Sequence, residues 1–207
     1  MKSLLLLILV LIMPISSSAA AAPAILVLGD SLSAAYGFDR RQGWVSLLQQ
    51  KLAAEGYSHR VFNASISGDT TAGGLGRLPD ALQKHQPSIL ILELGSNDGL
   101  RGVNFSATEN NLRQMIELAR SQGCEVLLLG MHMPPNFGKV FTERFHRIYT
   151  GLAQRLSLPL VPFFLQGVVD RPAWMQADNL HPTAAAQPRM LANVWPHLEP
   201  LLGAATE

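Results

Sequence analysis

Five short apolar runs, separated by longer segments of mixed polarity, constrain this chain more than any other feature. The runs are Ile25–Leu28, Arg60–Asn63, Ile89–Leu94, Val126–Leu129 and Leu160–Phe164. Runs this short, bounded by glycine, proline or polar turns, suit strands buried on both faces. Between them lie helix-length segments near Gly43–Glu55, Gly76–His85, Ala107–Gln122 and Phe141–Leu156. A last one, Ala184 to Leu202, is interrupted by Pro188 and Pro196. Ser106 or Thr108 is placed to cap the helix that carries Leu112, Met115, Ile116 and Ala119 on one face, and Gly123 to end it. Repeated alternation of this kind predicts an α/β fold, a five-stranded parallel sheet with helices on both faces.

The N-terminus obeys a different rule. Met1-Lys2-Ser3 leads into an unbroken apolar run, Leu4 to Met13, then three serines and an alanine-rich stretch to Ala22. A positive start, a short apolar core and small residues at a cleavage point describe a secretory signal peptide. The run is shorter than the ~20 residues a transmembrane helix needs, and it has no polar face for a buried amphipathic one. Residues 1–21 therefore read as a signal peptide and 22–207 as a single domain, with cleavage after Ala21 or Ala22. No cysteine near that point invites a lipid anchor, so a periplasmic or secreted protein without a stable membrane anchor is expected. Cleavage leaves 186 of the 207 residues and removes Lys2, so 15 basic side chains face 15 acidic ones. A neutral chain without a basic cluster gives no footprint for nucleic acid. Cys124 is the only cysteine, so no internal disulfide can form and stability rests on the core.

In an open parallel sheet, ligands sit beyond the carboxyl ends of the strands. Four fragments fall there: Gly29-Asp30-Ser31-Leu32-Ser33, Asn63 through Asp69, Gly95-Ser96-Asn97-Asp98 and Asp178-Asn179-Leu180-His181. Ser31 is the candidate nucleophile, although its tripeptide alone would serve equally as a strand-to-helix turn. His181 is the candidate base, with Asp178 three residues before it to orient the ring, and Pro182 restricts that turn. The backbone N–H groups of Ser31 and Gly68 and the amide of Asn97 are candidate oxyanion donors. Taken singly, the asparagine reads as a turn residue and the Asp–His pair as a surface pair. Asp30 points away from its neighbour on an extended strand and reads as a structural hydrogen-bonding residue. His59, His85, His132, His146 and His197 lack metal-ligand spacing and read as solvated or helix-face residues, so neither a metal nor a cofactor is expected.

Together these fragments resemble the conserved blocks of the SGNH hydrolases, the GDSL lipase/esterase family. Ser31, Gly68, Asn97 and His181 fall on the four naming residues and Asp178 on the triad acid. Likeness in Asn63–Thr71, Glu93–Gly102 and Trp174-Met175-Gln176 extends it over nearly the whole mature chain, toward a periplasmic thioesterase, lysophospholipase and arylesterase branch. The resemblance implies a compact three-layer α/β/α, flavodoxin-like fold, a Ser–His–Asp triad and no metal. It also implies small-molecule acyl substrates: aryl esters, acyl thioesters and lysophospholipids. Ser96 departs from the glycine common in close relatives, which bears on substrate preference. Carried across, the acyl-binding loops place Leu100 in a mobile segment, Gly99–Asn104, over the substrate, and Met133, Pro134, Asn136 and Phe137 in a wall. Met133 and Phe137 would serve as well in ordinary loop packing.

Two rivals stay open at this point. A carbohydrate O-acetylesterase on the same fold would want a shallow, polar site. A flavodoxin-like binding protein would use the loop after the first strand for a phosphate. A monomer is expected. Export has its own check: native protein should begin at Ala22 or Pro23 on N-terminal sequencing, and a sequence still starting at Met1 would refute it.

Overall fold

The computed structural model describes residues 22–205; the segment read as a signal peptide lies outside them. Five parallel strands form one sheet in the order β2-β1-β3-β4-β5: β1 Ala24–Gly29, β2 Arg60–Asn63, β3 Ile89–Glu93, β4 Glu125–Leu129 and β5 Leu160–Val161. This is the flavodoxin-like order, which reverses between β1 and β3. Among the described residues six α-helices accompany it: α1 Trp44–Ala54, α2 Thr71–His85, α3 Ser96–Leu100, α4 Phe105–Ser121, α5 Lys139–Leu156 and α6 Gln187–Leu198. The long ones pack as α1 with α6 on one face and α2, α4 and α5 on the other. Three layers result.

The sheet centre is apolar because both its faces are covered. Ile25–Leu28, Leu90–Leu92 and Val126–Leu129 are all fully buried. The outer strands differ. β2 leaves Arg60 and Asn63 exposed, and β5 has only two residues, so neither edge offers a long ladder to another chain. Among the described residues no helix is long and apolar enough to cross a membrane.

Several element boundaries depart from the sequence expectation, each for a local reason. The fifth strand does not reach Phe164. Pro162 has no N–H to donate, and the ladder stops at Val161. α2 begins at Thr71, five residues ahead of Gly76. The Thr70 hydroxyl accepts from the Gly73 N–H, and the Asp98 carboxylate accepts from the Thr71 N–H at 2.8 Å. Gly74 inside that helix allows close packing, since a Cβ there would lie 2.2 Å from Leu94 Cδ1. α4 starts at Phe105, capped by the Asn104 side chain on the Ser106 N–H at 2.8 Å, so neither Ser106 nor Thr108 is the cap. The last segment divides into a 3-10 turn at Ala184–Ala186, α6, and a second turn at Glu199–Leu201. Pro188 falls in the first turn of α6, where a missing N–H costs nothing. The stretch read as a mobile loop over the substrate, Gly99–Asn104, is the end of α3, a turn closed by Val103 N–H on Asp98 C=O, and the α4 cap.

Candidate active site

The carboxyl ends of β1, β2 and β3 and the turn before α6 meet at one edge of the sheet. The chain leaves β1 at Gly29 and turns at once, with Asp30 Oδ1 accepting the Leu32 N–H at 3.0 Å. Ser31 sits on that turn, half-buried. Asn63, closing β2, reaches across and donates to Ser33 C=O at 2.8 Å, which fixes the second loop against the first.

The Asp178–His181 segment is a built turn. Asp178 Oδ1 accepts the N–H groups of Leu180 at 2.9 Å and His181 at 3.0 Å. Asn179 holds φ at +55°, the left-handed region asparagine tolerates. Gln176 N–H donates to His181 C=O, Thr183 N–H to Trp174 C=O, and Met175 pairs with Pro182 in an antiparallel bridge. The Gln176 side chain donates to both Tyr36 C=O and Pro182 C=O, tying the histidine turn to the serine turn.

Those restraints bring three predicted residues into line. His181 Nδ1 lies 2.7 Å from Asp178 Oδ2, and His181 Nε2 lies 2.9 Å from Ser31 Oγ. A carboxylate only accepts, so Nδ1 carries the ring proton of neutral His181 and Nε2 accepts from the Ser31 hydroxyl. The His181 N–H, then its ring, hold the Asp178 carboxyl down to about 2 from its ordinary 3.8.

The oxyanion candidates are also placed. Among the described residues no protein acceptor takes the N–H of Ser31 or of Gly68. Gly68 adopts φ +79°, which its lack of a Cβ permits, and its carbonyl accepts from Arg101 at 2.9 Å. Asn97, in α3, donates one Nδ2 proton to Asp30 Oδ2 at 3.0 Å and keeps a second. Asp30, fully buried, thus has the structural role read from the sequence.

Ser31, Asn97 and His181 open onto a cleft of about 470 Å³. Leu32, Leu100, Met133, Phe163, Leu165 and Val169 supply most of its apolar wall, and Pro134 belongs to it as well. Asn136 and Phe137 do not line it: both are exposed, and Phe137 stacks on Phe141 of α5 instead. Gly68 borders the site without lining the cleft. A more open hollow of about 580 Å³ lies at the other end of the sheet, among Gln83, Gln86, Gln122 and Cys124, far from Ser31.

Several neighbours escaped the sequence reading. Phe163 and Val169 follow β5 in a segment with no motif. Tyr36 lies against the His181 ring, centroids 4.5 Å apart, a contact no local pattern announces. His132 lines the cleft and stacks on His146 at 3.9 Å, and His59 is buried rather than solvated. Glu93 had a signal, an acid closing a doubly buried strand. Among the described residues no three His, Cys, Asp or Glu side chains group as a metal cluster.

Comparison with known proteins agrees with this geometry. Residues 27–188 match the GDSL-like lipase/acylhydrolase family. The chain belongs to that family. It is a hydrolytic enzyme of the esterase and thioesterase class. It is 55% identical over 178 residues to esterase TesA of Pseudomonas aeruginosa, covering 86% of this chain and 89% of that one. It is 43% identical to thioesterase 1/protease 1/lysophospholipase L1 of Escherichia coli, covering 86% and 84%. The crystal structure of psychrotrophic esterase EstA from Pseudoalteromonas, inhibited by monoethylphosphonate, superposes with a TM-score of 0.82 at 35% identity, covering 87% of this chain and 99% of that one.

The Asp178 shift carries a sign. A folded-state pKa near 2 against 3.8 unfolded gives stability that is present above 3.8 and lost as pH falls through about 2. Asp178→Asn should therefore melt below the wild type at neutral pH, and the gap should close as pH falls from about 4 toward 2. A gap independent of pH over that range would place the stabilisation elsewhere.

Proposed function

We propose that this enzyme is exported and hydrolyses acyl esters and thioesters through an acyl-enzyme on Ser31. The observation that carries the proposal is the relay from Asp178 through His181 to Ser31, at 2.7 and 2.9 Å, at the edge of an apolar cleft. In this reading Ser31 Oγ attacks the carbonyl carbon as His181 Nε2 takes its proton. The negative charge that moves onto the carbonyl oxygen meets the N–H groups of Ser31 and Gly68 and the second Nδ2 proton of Asn97. Asp178 stabilises the imidazolium and keeps the ring in its tautomer. Collapse of the tetrahedral intermediate breaks the bond to the alcohol or thiol, which leaves with the proton from His181. Water, deprotonated by His181, then attacks the acyl-Ser31 ester and restores the free serine.

The inhibition of EstA by monoethylphosphonate supports this reading, because a phosphonate's phosphorus is tetrahedral like the proposed intermediate. The relatives' names give the substrate classes: aryl esters, acyl thioesters and lysophospholipids. An apolar cleft of this size suits an acyl chain better than a sugar, which sets the O-acetylesterase reading behind this one. Export rests on the Leu4–Met13 run and the alanines after it.

Ser31→Ala should lose fluorophosphonate labelling and at least about 10⁴ in kcat while keeping its melting profile. Full labelling of that variant would identify a different nucleophile. Met133, buried in the cleft wall, supplies a test of the acyl site. Met133→Ala should cost long-chain esters about tenfold in kcat/KM relative to acetyl esters, the worth of about two methylenes at ~0.8 kcal/mol each. An equal loss at every chain length would move the acyl site elsewhere.

A further inference from the structure

Glu93 ends β3 with its carboxyl fully buried, and it belongs to no ion pair among the described residues. The parallel register sets it opposite Gly29. A Cβ on residue 29 would lie 2.5 Å from Glu93 Oε2, so the glycine before Asp30-Ser31 leaves the space this carboxyl fills. A charge in such a place would be costly without a partner.

The two oxygens of Glu93 are treated differently. Oε2 accepts from the Ser33 hydroxyl at 2.7 Å and from the Asp30 N–H at 3.2 Å. Ser33 Oγ in turn accepts from Trp44 Nε1–H at 3.2 Å, which leaves its own proton for Glu93. Oε1 is equally buried and receives no donor. The neighbouring carboxyl is that of Asp30, whose own N–H donates to Oε2, and two carboxyl groups can share a hydrogen bond only if a proton lies between them. Both Asp30 oxygens already accept, from Leu32 N–H and from Asn97 Nδ2–H. Oε1, buried and without a donor, is the oxygen left free to carry a proton.

We infer that Glu93 is a neutral carboxylic acid that donates to the Asp30 carboxylate, and that this one-proton pair is a positioning device for the Asn97 amide. The inference rests on the hydrolase reading above for its catalytic consequence and on the hydrogen-bond pattern for the place of the proton. Burial, reinforced by the neighbouring Asp30 charge, pushes the Glu93 carboxyl well above the usual carboxylate range. Burial also raises Asp30, to about 6, against the lowering pull of the Leu32 N–H, a charge on His181 and the Asn97 amide. Asp30 then presents a fixed negative charge to one Asn97 N–H and aims the other at the substrate oxygen. Glu93 touches no substrate; it acts through Asp30 and Asn97.

Three measurements test this. Infrared difference spectra of the ligand-free protein at neutral pH should show a protonated-carboxyl stretch that disappears in Glu93→Gln, and its absence from the wild type would overturn the inference. Glu93→Gln, whose amide can donate to Asp30 and accept from Ser33, should keep kcat within about threefold, whereas Glu93→Met should lose about tenfold or more with KM little changed. Glutamine as damaging as methionine would overturn it. In an Asn97→Ala background, Glu93→Met should cost less than about twofold further, because residues acting as one unit are not additive. A full additive loss would mean Glu93 does not work through Asn97. Should Glu93→Met not fold, the infrared band and the Glu93→Gln rate decide. The spectrum needs no substrate and no turnover, so it fails or succeeds separately from Ser31→Ala, which tests the hydrolase reading.

Discussion

The hydrogen bond between Ser31 Oγ and His181 Nε2 joins residues 150 apart in sequence, and most of the local structure at this end of the sheet serves to hold it. A contact of that kind tolerates errors of a few tenths of an ångström. The serine is fixed by a turn pinned through Asp30 and Asn63. The histidine is fixed by a turn in which one carboxylate oxygen takes two backbone donors and the other takes the ring. Gln176 then couples the two turns through two donors of a single amide. Positioning comes from backbone bonds, which cannot swing as free side chains do.

The same edge of the sheet is also where the fold departs from an apolar core. Asp30, Ser33, Thr71, Glu93 and Asp98 are all buried there. Asp98 accepts from the Thr71 hydroxyl and N–H and so locks the start of α2 to α3. Tyr149, from α5, donates to Leu94 C=O beneath the site, and burial beside Asp98, Glu93 and Asp30 raises its own pKa well above the usual value. Buried polar groups of this density lower stability unless every one is satisfied. Their concentration beneath Ser31 and Asn97, and their scarcity at the other strand ends, fits a site whose donors must be rigid before the substrate arrives.

How far the sequence could be read depended on whether the information was local. β1, β3 and β4 were legible because the centre of a doubly buried strand must be apolar, and β2 from its Val61-Phe62 pair between polar residues; the limits of all four hold within a residue. β5 was over-extended because Val161-Pro162-Phe163 looks as apolar as a strand while proline removes the donor. The start of α2 was missed because Gly73-Gly74 suggests a loop, and only the close approach of Leu94 explains a glycine inside a helix. Ser31, Gly68, Asn97, Asp178 and His181 were nameable because each falls in one of four short fragments that match a family pattern. The cleft wall was half legible. Leu100, at the end of α3, and Met133 and Pro134, after β4, fall in loops the family resemblance marks, whereas Phe163, Val169 and Tyr36 arrive through tertiary packing. Glu93 was readable in principle, since an acid in a strand covered on both faces needs a partner, and the partner sits opposite in register.

On the proposed mechanism, the geometry also bears on how widely such a site can range. The carbonyl oxygen must face the donors of Ser31, Gly68 and Asn97. An acyl chain laid along the same cleft would meet Met133, Phe163 and Leu165, where burial is worth about 0.8 kcal/mol per methylene and rewards length. The leaving group must then lie within reach of His181 Nε2, which protonates it. On that side stand Tyr36, about half exposed, and Leu180, exposed as well. Little there can be fully desolvated, and exposed contacts discriminate weakly. An enzyme of this shape should choose among acyl chains by burial and accept alcohols, phenols or thiols with little distinction between them. Breadth toward leaving groups would then follow from where the solvent boundary falls relative to His181, without any special adaptability in the fold.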